Sequence, residues 1–423
     1  MRKFIFLILL AFGGVAKAET PRPNFLFVFI DDMGYADLGC FGGKARTPAI
    51  DSLARDGIRF TQFYVNAPIC SPSRVAVTTG QYPGRHRITT YLGSRRANQE
   101  RGVADWLSPD APTLPRMLAA VGYHTAHVGK WHMGGQREIN DAPPITAYGF
   151  STSLTNFEGL GPRILPIFAA NPDGTPFEHG PTQTNAAVGG PIRWVDRHEV
   201  TRAFVDRAIE EVQAARKRGV PFYINLWPDD MHSPIQAHPD VRKGRSPAEQ
   251  YLLVLEELDR QLGRIFEVIR SDPELAANTV ILLASDNGPE PGLGSAGELR
   301  GHKSNLYEGG IRSPLIVWSG RIAPSARGTT DGESLLAGMD LPPSILRIAG
   351  VDPGEVIFDG LDRSDALLGR GPQRREQAIM WVRPPDRPGP QGSWPDLAIR
   401  RGKWKLLVKA NGRRPELYDL EAD

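Results

Sequence analysis

The sequence predicts an α/β protein: a doubly wound, mostly parallel sheet, followed by a smaller C-terminal α+β region built on an antiparallel sheet. Three observations lead there. Residues 24–30, 221–227 and 278–284 are mostly apolar runs without polar alternation, the pattern of strands covered on both faces, and 123–128 is read as a further parallel strand between helical stretches. Amphipathic helical stretches separate these runs, as crossover connections require. Each run also stops at a group of charged or amide side chains, where open α/β sheets bind their ligands.

The chain has 423 residues, 40% hydrophobic and 23% charged, enough for a large core and more than one domain. A net charge of +2 excludes a molecule built to coat nucleic acid or an acidic membrane. Arg2 and Lys3, the apolar residues 4–12 and Ala16-Lys17-Ala18 follow the order of an export signal covering residues 1–18. The apolar run is too short to span a membrane, and no other long apolar stretch occurs. The expectation is an exported protein, periplasmic or secreted, with no stable membrane span.

The first strand, 24–30, ends at Asp31-Asp32. Two adjacent carboxylates at the end of a buried strand repel each other. Either a hard cation lies between them or they are turn and cap aspartates. Residues 47–57 predict a helix with Thr47 at the N-cap, Pro48 in the first turn and Gly57 at the end. Residues 58–64 are extended and lead to Cys70-Ser71-Pro72-Ser73-Arg74. Cys70 reads as a small buried hydrophobe, as one half of a Cys40–Cys70 disulfide, or as a chemically active position. Helical character from Arg74 to Gly80 puts residue 70 at or near a helix N-terminus, where backbone N–H groups favour an anion.

Arg85-His86-Arg87 and Arg95-Arg96 are basic patches, read as solvated surface or as a second anion site. Residues 113–122 predict a capped helix ended by Gly122, and the strand 123–128 runs into Gly129-Lys130-Trp131-His132. Two residues apart at a strand exit, Lys130 and His132 can face one crevice. Residues 134–195 are rich in Gly, Pro, Asn and Thr and too long for a simple connection, which suggests an insertion that shapes a substrate site. A helix over 199–217 and the strand 221–227 precede Asp229-Asp230-Met231-His232-Ser233-Pro234. A helix over 251–270, with Leu252, Leu255, Leu258, Leu262 and Ile265 in one stripe, and the strand 278–284 precede Asp286-Asn287-Gly288. Gly301-His302-Lys303 comes before a strand at 314–318, and 340–350 is a helix. Beyond it lie a Pro-rich run, 384–395, a hairpin over 396–408 turning at Gly402, and an extended piece at 416–420.

The Cys70–Arg74 motif, with Asp31-Asp32, Gln81-Tyr82-Pro83-Gly84-Arg85-His86, Gly129–His132, His232-x-Pro234, Asp286-Asn287 and Lys303 in this order, resembles the type I sulfatases of the alkaline phosphatase superfamily. The resemblance implies an alkaline-phosphatase-like catalytic domain over 19–350 and a small C-terminal domain over 351–423, which stops where family members usually continue. It implies that a formylglycine-generating or maturase enzyme converts Cys70 to Cα-formylglycine. It makes Asp31, Asp32, Asp286 and Asn287, with residue 70, the ligands of Ca2+. Lys130 is then expected at the formylglycine and the sulfate, His132 at a formylglycine hydroxyl, and His232 and Lys303 at the sulfate.

The implied reaction suits these residue types. A sulfate monoester is anionic, so calcium, Arg74, Lys130 and Lys303 must offset its charge. One hydroxyl of an aldehyde hydrate attacks sulfur, and the other later expels sulfate. His232 is the candidate acid for the leaving alcohol with Lys303 assisting, and His132 the candidate base for the second step. The expected substrate is a sulfated carbohydrate. The alternatives are a phosphonate monoester or phosphodiester hydrolase using the same aldehyde, and a non-catalytic sulfoglycan-binding protein that keeps the Cys70 thiol.

Overall fold

The computed structural model describes residues 21–135, 139–156, 159–168, 190–384 and 394–422. The expected export signal lies outside them, as do 169–189 of the insertion and 385–393 of the Pro-rich run. No helix among the described residues is long and apolar enough to cross a membrane.

Strand β1, Asn24–Ile30, is buried along its whole length because it sits mid-sheet with helices on both faces. Around it are β2 (Ile58–Tyr64), β3 (His124–Gly129), β4 (Thr152–Leu154), β7 (Phe222–Trp227), β8 (Thr279–Ser285), β9 (Arg312–Ser319), β10 (Thr329–Asp331) and β11 (Leu336–Ala337). The order is β10-β2-β9-β8-β1-β7-β3-β4, with β11 also on β2. β9 runs antiparallel to both β2 and β8; every other pairing in this sheet is parallel. The first four predicted strands therefore match, and the fifth is the reversed one. Within the insertion, β5 (Arg163–Ile167) and β6 (Ile192–Asp196) pair as a separate parallel ribbon.

Apolar side chains of alternate strand positions feed two cores, one on each face. Phe25, Phe27 and Phe29 point to one, Leu26, Val28 and Ile30 to the other, as the two-residue period of a strand dictates. The helices Val200–Arg218 and Pro247–Arg270 cover the second face. The latter starts four residues earlier than its apolar stripe suggests. A capping box between Ser246 and Glu249 begins it, a device worth about 1 kcal/mol.

Two expected caps work differently. Thr47 and Thr113 occupy N-cap positions without capping their helices. Thr47 Oγ1 donates to Asp51 Oδ1 and accepts from the Gly39 N–H, and Thr113 donates to the Tyr148 carbonyl. Each hydroxyl ties its helix to a neighbouring segment instead. The C-terminal sheet is fully antiparallel: β12 (Ile379–Val382), β13 (Leu397–Arg401), β14 (Trp404–Val408) and β15 (Glu416–Asp419). β13 and β14 turn at Gly402, as expected, with φ of 57°. β12 lacks an alternating pattern long enough to read from sequence.

Candidate active site

β1, β2, β3, β7 and β8 all point the same way, so their carboxyl ends lie along one edge of the sheet. Asp31 and Asp32 follow β1, Lys130 and His132 follow β3, His232 follows β7, and Asp286 and Asn287 follow β8. β9 runs the other way, so its amino end lies on that same edge. The segment leading into it brings Lys303 to the site. Cys70 is the first residue of a helix, Cys70–Thr79, which starts four residues before its predicted beginning. Its N-cap Ile69 offers no side-chain acceptor, so the helix start keeps backbone donors beside residue 70.

These side chains form one cluster. Arg74 Nε and Nη2 donate to Asp286 Oδ2 at 3.1 and 2.7 Å, and Nη2 lies 3.2 Å from Asp31 Oδ1. Arg74 Nη1 donates to the Lys130 carbonyl at 2.8 Å. The guanidinium lies over the rings of Trp227 and Phe29, 5.3 and 5.9 Å from their centroids. Lys130 Nζ donates to Asp31 Oδ2 at 2.7 Å and approaches Cys70 Sγ at 3.7 Å. Lys303 Nζ donates to Asp32 Oδ2 at 2.5 Å, and Asn287 Nδ2 to Asp32 Oδ1 at 2.6 Å.

His232 and His132 stand at the margins. His232 Nδ1–H donates to the Ser233 carbonyl at 2.7 Å, which leaves Nε2 3.8 Å from Asp32 Oδ2. His132 Nε2–H donates to the Leu92 carbonyl at 3.1 Å. The Leu92 N–H in turn donates to Ser71 Oγ at 3.0 Å, so His132 is tied to the residue after Cys70. Asp32 and His132 have φ of 59° and 53°. This left-handed backbone costs a non-glycine residue on the order of 1 kcal/mol and clusters at functional sites.

Burial would raise the Asp31 carboxyl, but Lys130 and Arg74 outweigh it and hold that carboxyl well below the usual range. Burial and the Asp31 charge push Asp286 well up. Burial also raises the Cys70 thiol, with Asp31 adding to it. His232 is pushed down to about 4 by burial and by the charges of Lys303 and Lys130. Lys303 is raised: burial opposes its charge, but the negative groups around it, Asp32 foremost and then Cys70, Asp31 and Glu290, together outweigh burial.

Asp31, Asp32 and Asp286 can each aim a carboxylate oxygen into a space under 4.8 Å across. The buried oxygens Asp31 Oδ1 and Asn287 Oδ1 receive no hydrogen bond. Three buried carboxylates and an amide oxygen without a donor are the ligand chemistry of a hard divalent cation, so calcium fits these residues.

Cys40 and Cys70 are both free thiols, which removes the disulfide reading. The basic patches are largely neutralised on the surface: Arg85 pairs with Asp359, Arg95 with Asp105 and Arg96 with Glu100. Glu290 is a site residue that motif reading missed. It lies 3.2 Å from Lys303 Nζ and 4.0 Å from His232 Nε2. Its position four residues after Asp286, beyond the turn residues Gly288 and Pro289, was the available signal. A cavity of about 940 Å³ against the start of the helix Pro48–Asp56 and the middle of Pro247–Arg270 is lined by Arg197, Asp230, His238 and Asp259 among others. It contains none of the predicted site residues. Asp259 instead accepts the Ala49 and Ile50 N–H groups at a helix start.

The sulfatase family profile matches residues 23–351. Human arylsulfatase A is 33% identical, over 96% of this chain and 78% of its own. Dog N-acetylgalactosamine-6-sulfatase is 30% identical, over 86% of this chain and 69% of its own. The crystal structure of Ps i-CgsB in complex with k-i-k-neocarrahexaose superposes with a TM-score of 0.76 at 25% identity, covering 95% of this chain and 87% of that one. With the motif residues converged at one sheet edge and most of the chain matched, this protein belongs to the sulfatase family of the alkaline phosphatase superfamily.

Proposed function

We propose that the protein is an exported, calcium-dependent sulfatase. It hydrolyses sulfate monoesters of a carbohydrate after a formylglycine-generating or maturase enzyme has converted Cys70. The observation that carries this reading is the placement of residue 70. Its Sγ stands for the atom that conversion replaces by oxygen. It sits at a helix N-terminus, 3.7 Å from Lys130 Nζ, beside three carboxylates that can share one cation. Calcium and the hydrated aldehyde would supply a Lewis acid and a hydroxyl nucleophile.

The chain's own residues divide the remaining work. Asp31, Asp32, Asp286 and Asn287 hold the cation, and Arg74 fixes the orientation of Asp31 and Asp286. Lys130 and Lys303 donate to sulfate oxygens, which offsets the anionic charge where water is excluded. His132 spends Nε2–H on Leu92, so Nδ1 is the atom able to take a proton. His232 is neutral near pH 7, because burial, and then the charges of Lys303 and Lys130, hold its pKa down at about 4. It must gain a proton before it can act as an acid, which shifts the protonated role at the leaving oxygen toward Lys303.

The names of relatives support a sugar substrate: N-acetylgalactosamine-6-sulfatase, and a neighbour solved with a neocarrahexaose. Export rests on the signal-like residues 1–18.

Mass spectrometry of the tryptic peptide 60–74, from a host able to convert the cysteine, should show the aldehyde in place of the thiol. An intact thiol there would favour the binding-protein reading. Sulfate release from a panel of sulfated sugars, set against phosphonate and phosphate esters of the same alcohols, should favour sulfate. Cys70→Ala should abolish turnover with an unchanged melting temperature; near-normal rates would overturn the mechanism.

A further inference from the structure

Beside Lys303 is a second, smaller cavity, of about 390 Å³, between the segment before β9 and the C-terminal sheet. Its lining includes Arg300, His302, Tyr307, Trp394, Arg414 and Glu416. His302 is the neighbour of Lys303. Its Nδ1–H donates to the Lys303 carbonyl at 2.8 Å, so one wall residue of the cavity is tied to the backbone of the residue whose Nζ reaches Asp32. The His302 and Trp394 rings meet edge to face, 5.3 Å apart and at 76°, and Trp394 is half-buried.

The charges are unevenly matched. Glu416 accepts from Tyr307 Oη at 2.9 Å, from Tyr418 Oη at 2.6 Å and from Arg300 at 3.3 Å. Arg300 also lies over the Tyr307 ring, 3.9 Å from its centroid. Glu416 and Arg300 thus satisfy each other. Arg414, exposed on the same wall, pairs with no carboxylate among the described residues.

We infer that this cavity is a saccharide subsite. It holds a second sugar unit, bearing a sulfate or carboxylate, next to the unit whose sulfate is cleaved. Trp394 and His302 supply aromatic surface for the ring, and Arg414 the guanidinium for its anionic group. A cavity of this size suits one small polar unit, an aromatic ring presents a rigid apolar face, and arginine matches planar or tetrahedral oxyanions with paired donors. The inference rests on the carbohydrate sulfatase reading and adds the class of its substrate: an oligosaccharide anionic on adjacent units.

The test uses the full-length converted enzyme and the best sulfated monosaccharide from the substrate panel. That sugar is assayed alone, joined to galactose, joined to galactose 6-sulfate and joined to glucuronate. The wild type should prefer the two anionic disaccharides by about tenfold in kcat/KM over the neutral one, and added salt should shrink that preference. Arg414→Ala should remove the preference while leaving the monosaccharide within about twofold, and Arg414→Lys should restore part of it. Trp394→Ala should weaken all three disaccharides and spare the monosaccharide. The glucuronate and sulfate arms show which anion the subsite takes. Equal losses on all four probes in Arg414→Ala, or no loss on any, would overturn the subsite while leaving the sulfatase reading standing. Failure of the verified formylglycine enzyme to release sulfate from any sugar would overturn both.

Discussion

Asp286 shows how much one residue of the site carries. It accepts two hydrogen bonds from the buried Arg74 and one from the Asp32 N–H at 3.1 Å. Asp286→Ala should lower calcium affinity by at least about tenfold, since even outer partners of a metal site are worth that much. Calcium content after dialysis checks this, and unchanged content would remove Asp286 from the ligand set. His127 gives a pH signature. Burial, helped by Arg74, pushes it down to about 3, whereas an unfolded chain titrates near 6.5. Between those values the unfolded state holds a proton that the folded state lacks. Stability from this group is therefore intact above about pH 6.5 and falls with acid by up to about 1.4 kcal/mol per pH unit. Denaturant midpoints at pH 7 and 5 should separate less in His127→Gln than in the wild type. Cys70, Arg74 and the aspartates were legible as motif residues. Glu290 was not, because its part in the site depends on Lys303 and His232 arriving from other loops.

At the scale of elements, the turn out of β3 sets where Lys130 points. Gly129 has φ of 115°, and a Cβ there would stand 2.2 Å from the Trp227 carbonyl oxygen. Gly129→Ala should therefore shift the β3 exit away from β7, cost about 1–3 kcal/mol, and lower kcat more than binding of the sulfated sugar. A variant with wild-type stability and rate would show that the close approach is unimportant. The central parallel strands β1, β7 and β8 could be read from their mostly apolar runs, whereas β2 and β3 carry polar residues within them. The helix at Cys70 could not be dated to its first residue, because Ser71 and Pro72 are as common in loops as in first turns. The reversal of β9 had no local signal either: an apolar run reads the same in both directions.

A buried polar network joins the large sheet to the C-terminal sheet. Lys405, on β14, is 1% exposed and donates to Glu308 Oε1 at 2.7 Å. Glu308 accepts from Tyr64 of β2, and Trp381 Nε1 of β12 donates to the Val65 carbonyl at 2.7 Å. Lys405→Ala should destabilise the protein by about 3–5 kcal/mol by leaving Glu308 buried without its main partner. Pairing it with Glu308→Gln should recover much of the loss; thermal melts of the single and double variants decide this, and a neutral single variant would refute the coupling. By itself, the sequence determined the strand class, the charged residues that end each strand and the family motif, because apolar continuity and motif spacing are properties of short stretches. Only the tertiary structure decided that Lys303 reaches the aspartates, that both cysteines are free and that the C-terminal sheet walls a cavity beside the site. Those facts depend on strand direction and on contacts between residues of different elements far apart in the chain, which no local pattern encodes.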